Sequence, residues 1–213
     1  MSDRRQKLLA ETTFLACHAT PAFVFWLPDA DRLNPALKQT ILEREKAQPG
    51  LNNSNVGGWH SGRDFSAWGG PALAELLNTA KGFANQITLD RKGRRSHPAW
   101  EVECWANINR RGHANKRHSH PGCFLSGTYY VDVGAIGLKA DSGGRFRFHD
   151  PRAAASVMTP ATVVGKDSKP EIHPEAGMMI LFPSWMPHSV EHYAGPGTRI
   201  SIAFNLALAG QKT

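Results

Sequence analysis

The chain changes its hydrophobic period near residue 99. Before that point the pattern is short and mixed. Residues 23–27, Phe-Val-Phe-Trp-Leu, read as a short buried strand closed by Pro28. Asn34-Pro35 predicts a helix start with proline at the first helical position, and the helix should run to about Ala47 before Pro49-Gly50. Gly70-Pro71 opens a second helix through residues 72–84, where Leu73, Leu76, Leu77 and Ala80 fall at helical spacing. Between the helices, residues 52–68 are rich in Asn, Ser, Gly and Trp and read as an ordered loop. From residue 101 to 109 the period is two, with Trp105, Asn107 and Asn109 on one face and Cys104, Ala106 and Ile108 on the other. Residues 126–133, 144–149, 178–182, 188–193 and 198–208 repeat this alternation, and 161–164 is a further short candidate. Six or seven short strands with Gly/Pro turns predict a mainly β (α+β) chain. Its expected architecture is an antiparallel double-stranded β-helix, or jelly-roll barrel, with the N-terminal helices packed on one sheet.

Composition narrows the class without changing this picture. At 213 residues, 41% apolar and 20% charged, the chain has an ordinary globular balance and suits one domain. It contains no run of 18 apolar residues, so no helical membrane span is expected. The charged start, Met1 to Lys7, followed by an apolar run broken at Glu11, Thr12 and Thr13, makes a poor secretory signal. Cys17, Cys104 and Cys123 are odd in number and lack metal spacing, which fits reduced thiols and a cytoplasmic location. The net charge of +7 comes from clusters at residues 91–95, 110–111 and 116–117. No nucleic-acid-binding motif accompanies them, so steering of an anionic substrate is the functional expectation and solvated loops the plain one. Oligomeric state is not written in the pattern; a homodimer is compatible with it.

The candidate chemistry lies in two distant stretches. His118 and His120 are two residues apart, so on an extended segment both side chains leave the same face. His188 follows Pro187 at the mouth of a later strand, which barrel closure can bring opposite them. Imidazoles gathered on one side of a metal leave open positions for a bidentate co-substrate and oxygen, as a mononuclear iron(II) oxygenase requires. H-x-H alone is weak and arises by chance roughly half a time in a chain with this histidine content. A histidine followed at eleven residues by Arg-x-Ser, as in His188 with Arg199-Ile200-Ser201, is sharper, at roughly 0.04 chance occurrences. Alternation on the last strand puts Arg199, Ser201 and Asn205 on one face and Ile200, Ile202 and Phe204 on the other. A guanidinium and a hydroxyl facing a barrel interior can take a carboxylate, such as the far carboxylate of 2-oxoglutarate. Burial of that charge is costly without a partner, so an anion is expected there. The competing arrangement sets Arg199 on the rim against an acidic side chain. Asn107 and Tyr130, on strands expected to line the barrel, are candidates for hydrogen bonding to the co-substrate or for stabilising the sheet. Trp59 and His60 belong either to a lid or to a packed loop. Asp150-Pro151-Arg152 reads as a turn with an internal salt bridge, and Trp185 and Met186 as packing at the barrel mouth. His113, His149, His173 and His192 are read as non-ligands.

Several motifs together resemble the family of 2-oxoglutarate–Fe(II) oxygenases whose members carry H-x-H-P running into S-G-x-Y-Y. Here these are His118-Ser119-His120-Pro121 and Ser126-Gly127-Thr128-Tyr129-Tyr130. Further similar pieces are Trp105 to Asn109, Asp150-Pro151-Arg152, Phe182-Pro183-Ser184-Trp185, Arg199 to Asn205, and Asn55 to Ser61, which cover most of the chain in order. The resemblance implies a single oxygenase domain over 1–213, with 1–98 as helical support and loop and 99–208 as the barrel core. It also implies a dioxygenase using Fe(II) and 2-oxoglutarate to hydroxylate a C–H bond with release of succinate and CO2. His118, His120 and His188 would hold the metal, and Arg199, Ser201, Asn107 and Tyr130 the co-substrate. The substrate, a small molecule or a protein side chain, stays open. One departure stands out: the wider superfamily usually has His-x-Asp where this chain has His118-Ser119-His120. Either His120 completes a three-histidine site, or water or a distant acid such as Asp150 takes the position. The alternatives are a cupin-type three-histidine dioxygenase that binds its substrate's carboxylate through Arg199, and a non-enzymatic metal- or ligand-binding barrel.

Overall fold

The computed structural model describes residues 19–134, 142–152 and 171–210. The candidate strand at 161–164 and Cys17 lie outside the described residues. The first strand, β1 (Phe23–Trp26), pairs along one edge of a six-stranded sheet. It is half-exposed rather than buried: Phe23 and Phe25 pack against Phe83, with ring centroids 5.5 Å and 4.4 Å away, while Val24 and Trp26 face outward. An edge strand has only one side to bury, and period two sends alternate residues to solvent.

Helix α1 (Ala30–Ala47) starts four residues ahead of the predicted Asn34-Pro35 signal. The carbonyl of Asp29 accepts hydrogen bonds from Arg32 and Leu33 and so closes the first turn. Pro35 therefore sits inside the helix and forfeits one ladder bond to Asp31. Burial of Leu33, Leu37 and Ile41, spaced four apart on one stripe, offsets that loss. The loop region up to residue 68 contains β2 (Asn55–Val56), β3 (Trp59–His60) and a short α2 (Phe65–Trp68). Helix α3 (Gly70–Ile87) follows the expected stripe and buries Leu73, Leu76, Leu77, Ala80 and Ala84.

The eight strands that follow are β4 (Trp100–Asn109), β5 (Ala114–His118), β6 (Leu125–Val133), β7 (Phe146–Phe148), β8 (Glu171–Ile172), β9 (Met178–Pro183), β10 (His188–Val190) and β11 (Arg199–Leu208). All pair antiparallel in two sheets, ordered β1-β9-β6-β11-β4-β3 and β2-β5-β10-β7-β8. From β4 onward the chain crosses repeatedly between the two sheets, with β7 and β8 as an antiparallel pair within the smaller one, in the manner of a double-stranded β-helix. The pattern missed β5, whose sequence Ala-Asn-Lys-Arg-His has too few apolar residues to mark a strand.

The larger sheet is buried on both faces. Its outer face carries Cys104, Ala106, Ile108, Tyr129, Val131, Met179, Leu181, Ile200, Ile202 and Phe204 against the stripes of α1 and α3. The Tyr129 hydroxyl also donates to Asn34 Oδ1 of α1 at 2.7 Å. Its inner face contributes Tyr130, Met178, Ile180 and Phe182 to a second cluster with Phe146 and Phe148 of the smaller sheet. Strand β9 shows the division residue by residue, odd positions toward the helices and even ones into the barrel.

Gly127 is a close-approach point between β6 and β11. A Cβ there would come 2.3 Å from Phe204 Cζ and 3.0 Å from the Ile180 carbonyl oxygen. Gly127→Ala should therefore destabilise the protein by roughly 1–3 kcal/mol through overpacking. Urea unfolding checks this, and an unchanged midpoint would contradict the packing described.

Candidate metal centre

Two features of strand pairing gather the histidines. His118, the last residue of β5, stands opposite His188, the first of β10. Between the His188–His118 and Val190–Asn115 pairs the register shifts by one residue, so Lys116 and Arg117 form a bulge. In a regular strand residues three apart face opposite ways; the bulge lets both Asn115 and His118 line the same cavity while Lys116 and Arg117 stay exposed. His120 follows in the turn, where its backbone N–H donates to the Ser184 carbonyl at 2.9 Å.

The ligand-capable atoms of His118, His120 and His188 all lie within 4.8 Å of one another. Ring centroids are 4.3 Å apart for His118–His188, 5.0 Å for His118–His120 and 5.2 Å for His120–His188. The Nδ1–H of His118 donates to the Lys116 carbonyl at 2.7 Å, and that of His188 to the Met186 carbonyl at 2.9 Å. Each bond fixes the tautomer and leaves Nε2 with its lone pair free. Burial disfavours the charged rings, so His188 is pushed down to about 3 and His120 to about 4, with His118 lowered as well. The charge of His118 adds to the depression at the other two. At neutral pH the cluster presents neutral imidazoles, the protonation state that binds transition metals. Asp150 is outside this group, and both its carboxylate oxygens accept from Arg152. Among the described residues, then, no carboxylate joins the three histidines.

The cluster opens onto a cavity of about 250 Å³. Arg199, Ser201, Asn107 and Tyr130 line the same cavity, brought together by register: β11 sets Ser201 beside Asn107 of β4 and beside Tyr130 of β6. Arg199 is 3% exposed. Its Nη1 reaches Asn109 Oδ1 at 3.4 Å and its Cζ lies 4.9 Å from the centre of the Tyr130 ring, but its Nε has no hydrogen-bond partner among the described residues. Among the described residues no acidic side chain pairs with it, and its burial sets it inside the barrel rather than on the rim. Burial lowers the Arg199 pKa, and the Tyr130 hydroxyl, beside Arg199 and Thr128, has its own pushed up. That hydroxyl is buried and lies close to both neighbours, yet closes no hydrogen bond of good geometry among the described residues. A buried cation and a buried hydroxyl with unused capacity are what a bound carboxylate would satisfy. On the donor set and on these orphaned groups, Fe(II) and 2-oxoglutarate fit the cavity.

The remaining expectations divide. Trp59 belongs to the core, its Nε1 donating to the Gln48 carbonyl at 3.0 Å, whereas His60, 4% exposed, lines the cavity. The Asp150–Arg152 turn closes on its internal salt bridge. Asn205 is held by Ser126 at 2.8 Å, away from the cavity lining. Sequence reasoning missed Asn53, Arg63, Trp105 and Asn115, which also line the cavity. Trp105 was on the right face by alternation, but nothing local marks the asparagines, which arrive through the β2–β5 pairing.

Residues 103–205 match the family profile described as "Putative 2OG-Fe(II) oxygenase". No curated protein sequence matches the chain. Among solved structures, a prolyl-4-hydroxylase from Pseudomonas putida is similar with a TM-score of 0.62 and 15% identity, over 90% of this chain and 95% of that one. A prolyl hydroxylase from Trichoplax adhaerens, solved with a hypoxia inducible factor peptide, gives 0.62 and 15% over 97% and 93%. HygX from Streptomyces hygroscopicus, solved with nickel and 2-oxoglutarate, gives 0.56 and 10% over 99% and 88%. Likeness at these identities is one of fold, and it is the double-stranded β-helix that the strand order describes. Residues 103–205, which carry the histidine cluster and the buried arginine, match the 2-oxoglutarate- and Fe(II)-dependent oxygenases, a family of oxidoreductases.

Proposed function

We propose that this protein hydroxylates a C–H bond of its substrate, with His118, His120 and His188 holding Fe(II) and Arg199, Ser201, Asn107 and Tyr130 holding 2-oxoglutarate. The observation that carries the reading is the buried Arg199, with an unpaired Nε, on the same cavity as the three neutral imidazoles. Fe(II) with 2-oxoglutarate supplies oxidative decarboxylation to succinate and CO2 coupled to oxygen insertion. The chain's own part is positional. Arg199 takes the C5 carboxylate with a charge-assisted fork, and Ser201 and the Tyr130 hydroxyl complete its hydrogen bonds. The Nδ1–H bonds to Lys116 and Met186 hold two imidazoles in the binding tautomer. Phe146 and Phe182, packed on His188 at 5.3 Å and 4.8 Å, keep water from that ligand's inner side.

The substrate is a small molecule or a protein side chain of neutral or anionic character. This rests on the cavity lining, which among the described residues includes Arg63 and Arg199 and no Asp or Glu. The described residues before the barrel, 19–98, serve as the scaffold on which it closes, as one functional unit. The free thiols Cys104 and Cys123 support a reducing, cytoplasmic setting.

Anaerobic addition of 2-oxoglutarate to the Fe(II)-loaded protein should raise a weak visible charge-transfer band. A loaded sample without the band would favour a three-histidine dioxygenase whose Arg199 binds the substrate carboxylate instead. Arg199→Ala should weaken 2-oxoglutarate at least tenfold, the loss of one charge-assisted pair, while iron binding persists; unchanged affinity would remove Arg199 from the site. His188→Ala should abolish stoichiometric iron binding, and retained iron would exclude it as a ligand.

Acid sensitivity follows from the depressed imidazoles. The unfolded chain titrates near 6.5, whereas native His188 titrates near 3, so between those values the unfolded state binds more protons. Stability of the metal-free protein is thus full above about pH 6.5 and lost as pH falls through this window. His188→Gln should flatten that dependence. Thermal melts across this window check it, and parallel slopes for the two proteins would contradict a depressed His188.

A further inference from the structure

The three imidazoles are not held alike. His118 and His188 each donate Nδ1–H to a backbone carbonyl, whereas neither ring nitrogen of His120 makes a hydrogen bond among the described residues. Its backbone is anchored to Ser184, and its side chain is held against neighbouring rings without a hydrogen bond among the described residues. Beyond the two other histidines, the ring that touches it is Trp105, at 5.6 Å and 53° between planes. Trp105 is 8% exposed and is itself backed by His60, nearly parallel at 11° and also 5.6 Å away. His60 cannot turn freely: its Nδ1–H donates to the Ser61 carbonyl at 2.5 Å and its Nε2 accepts from Asn53 Nδ2 at 3.3 Å. The stack therefore runs from a hydrogen-bonded, immobile ring through an indole to an imidazole with no bond of its own.

We propose that Trp105, braced by His60, is the positioning residue for His120, supplying by ring packing the orientation that a carbonyl supplies to His118 and His188. This rests on the three-histidine reading of the metal site. It makes His120 the weakest-held ligand and ties its geometry to the Asn53–His60 segment on the cavity wall.

Cobalt(II) titration of the full chain, followed by its visible absorption, tests the idea without turnover or 2-oxoglutarate. Trp105→Leu should weaken Co(II) about tenfold, in the range seen when a ligand's outer support is lost, and alter the absorption envelope, while Trp105→Phe should stay close to wild type. His60→Ala should give a smaller loss of the same kind. In a His120→Ala background both substitutions should add nothing, because the ring they orient is gone. Circular dichroism confirms folding of each variant; should Trp105→Leu not fold, the His60→Ala pair carries the same comparison. Equal losses with and without His120, or no loss at all, would overturn the positioning role. Stoichiometric Co(II) binding by both His118→Ala and His188→Ala would instead sink the metal site itself, a distinguishable failure.

Discussion

The register of β11 between β4 and β6 is the constraint on which the rest of the molecule depends. Arg199 and Ser201 pair with Asn109 and Asn107 on one side, and Ser201 with Tyr130 on the other. The intervening residues Ile200, Ile202 and Phe204 enter the helix-backed core. A slip of one residue would exchange the two sets, placing a guanidinium against Leu and Ile side chains and isoleucines in the cavity. Both faces of this sheet are buried, so neither error is tolerable, and the pairing is specified from two directions at once. A bulge between Ile200 and Ser201 in the β6 ladder adjusts the match without losing it.

That register creates an electrostatic demand. A guanidinium at 3% exposure with no acidic partner among the described residues is unfavourable by itself, and the Tyr130 ring under it compensates only in part. The three histidines meet the opposite requirement, since burial keeps them neutral where charged rings would repel a cation. One end of the cavity thus calls for an anion and the other offers lone pairs to a metal. A chelating dicarboxylate spans such a pair of sites.

The N-terminal region before β4 contributes more than support. Through β2 and β3 it delivers Asn53 and His60 to the cavity wall, next to Trp105 and His120. Its helices bury one face of the larger sheet, and the Lys38–Asp132 contact ties α1 to the end of β6. The strands that hold the histidine cluster and those that hold Arg199 are accordingly braced from different parts of the chain.

By itself, the sequence determined the elements whose patterning is local and strong. Alternation in β4, β6, β9 and β11 marked the barrel and assigned Trp105, Asn107, Arg199 and Ser201 to its inner face, and the Leu73–Ala84 stripe marked α3. The spacing of His188, Arg199 and Ser201 marked residues that line one cavity. Tertiary structure decided what pattern cannot encode. Strand β5 exists because β10 and β2 supply its hydrogen bonds, not because its polar residues prefer extension. Its bulge turns His118 inward alongside Asn115. Helix α1 begins before its proline because buried leucines outweigh one lost backbone bond. Asn53, His60 and Trp105 converge on His120 only through pairings between residues some fifty positions apart, such as Trp59 with Ile108. Local preferences act over a few residues, whereas such convergence is set by long-range hydrogen bonding and burial, which appear only when the chain closes on itself.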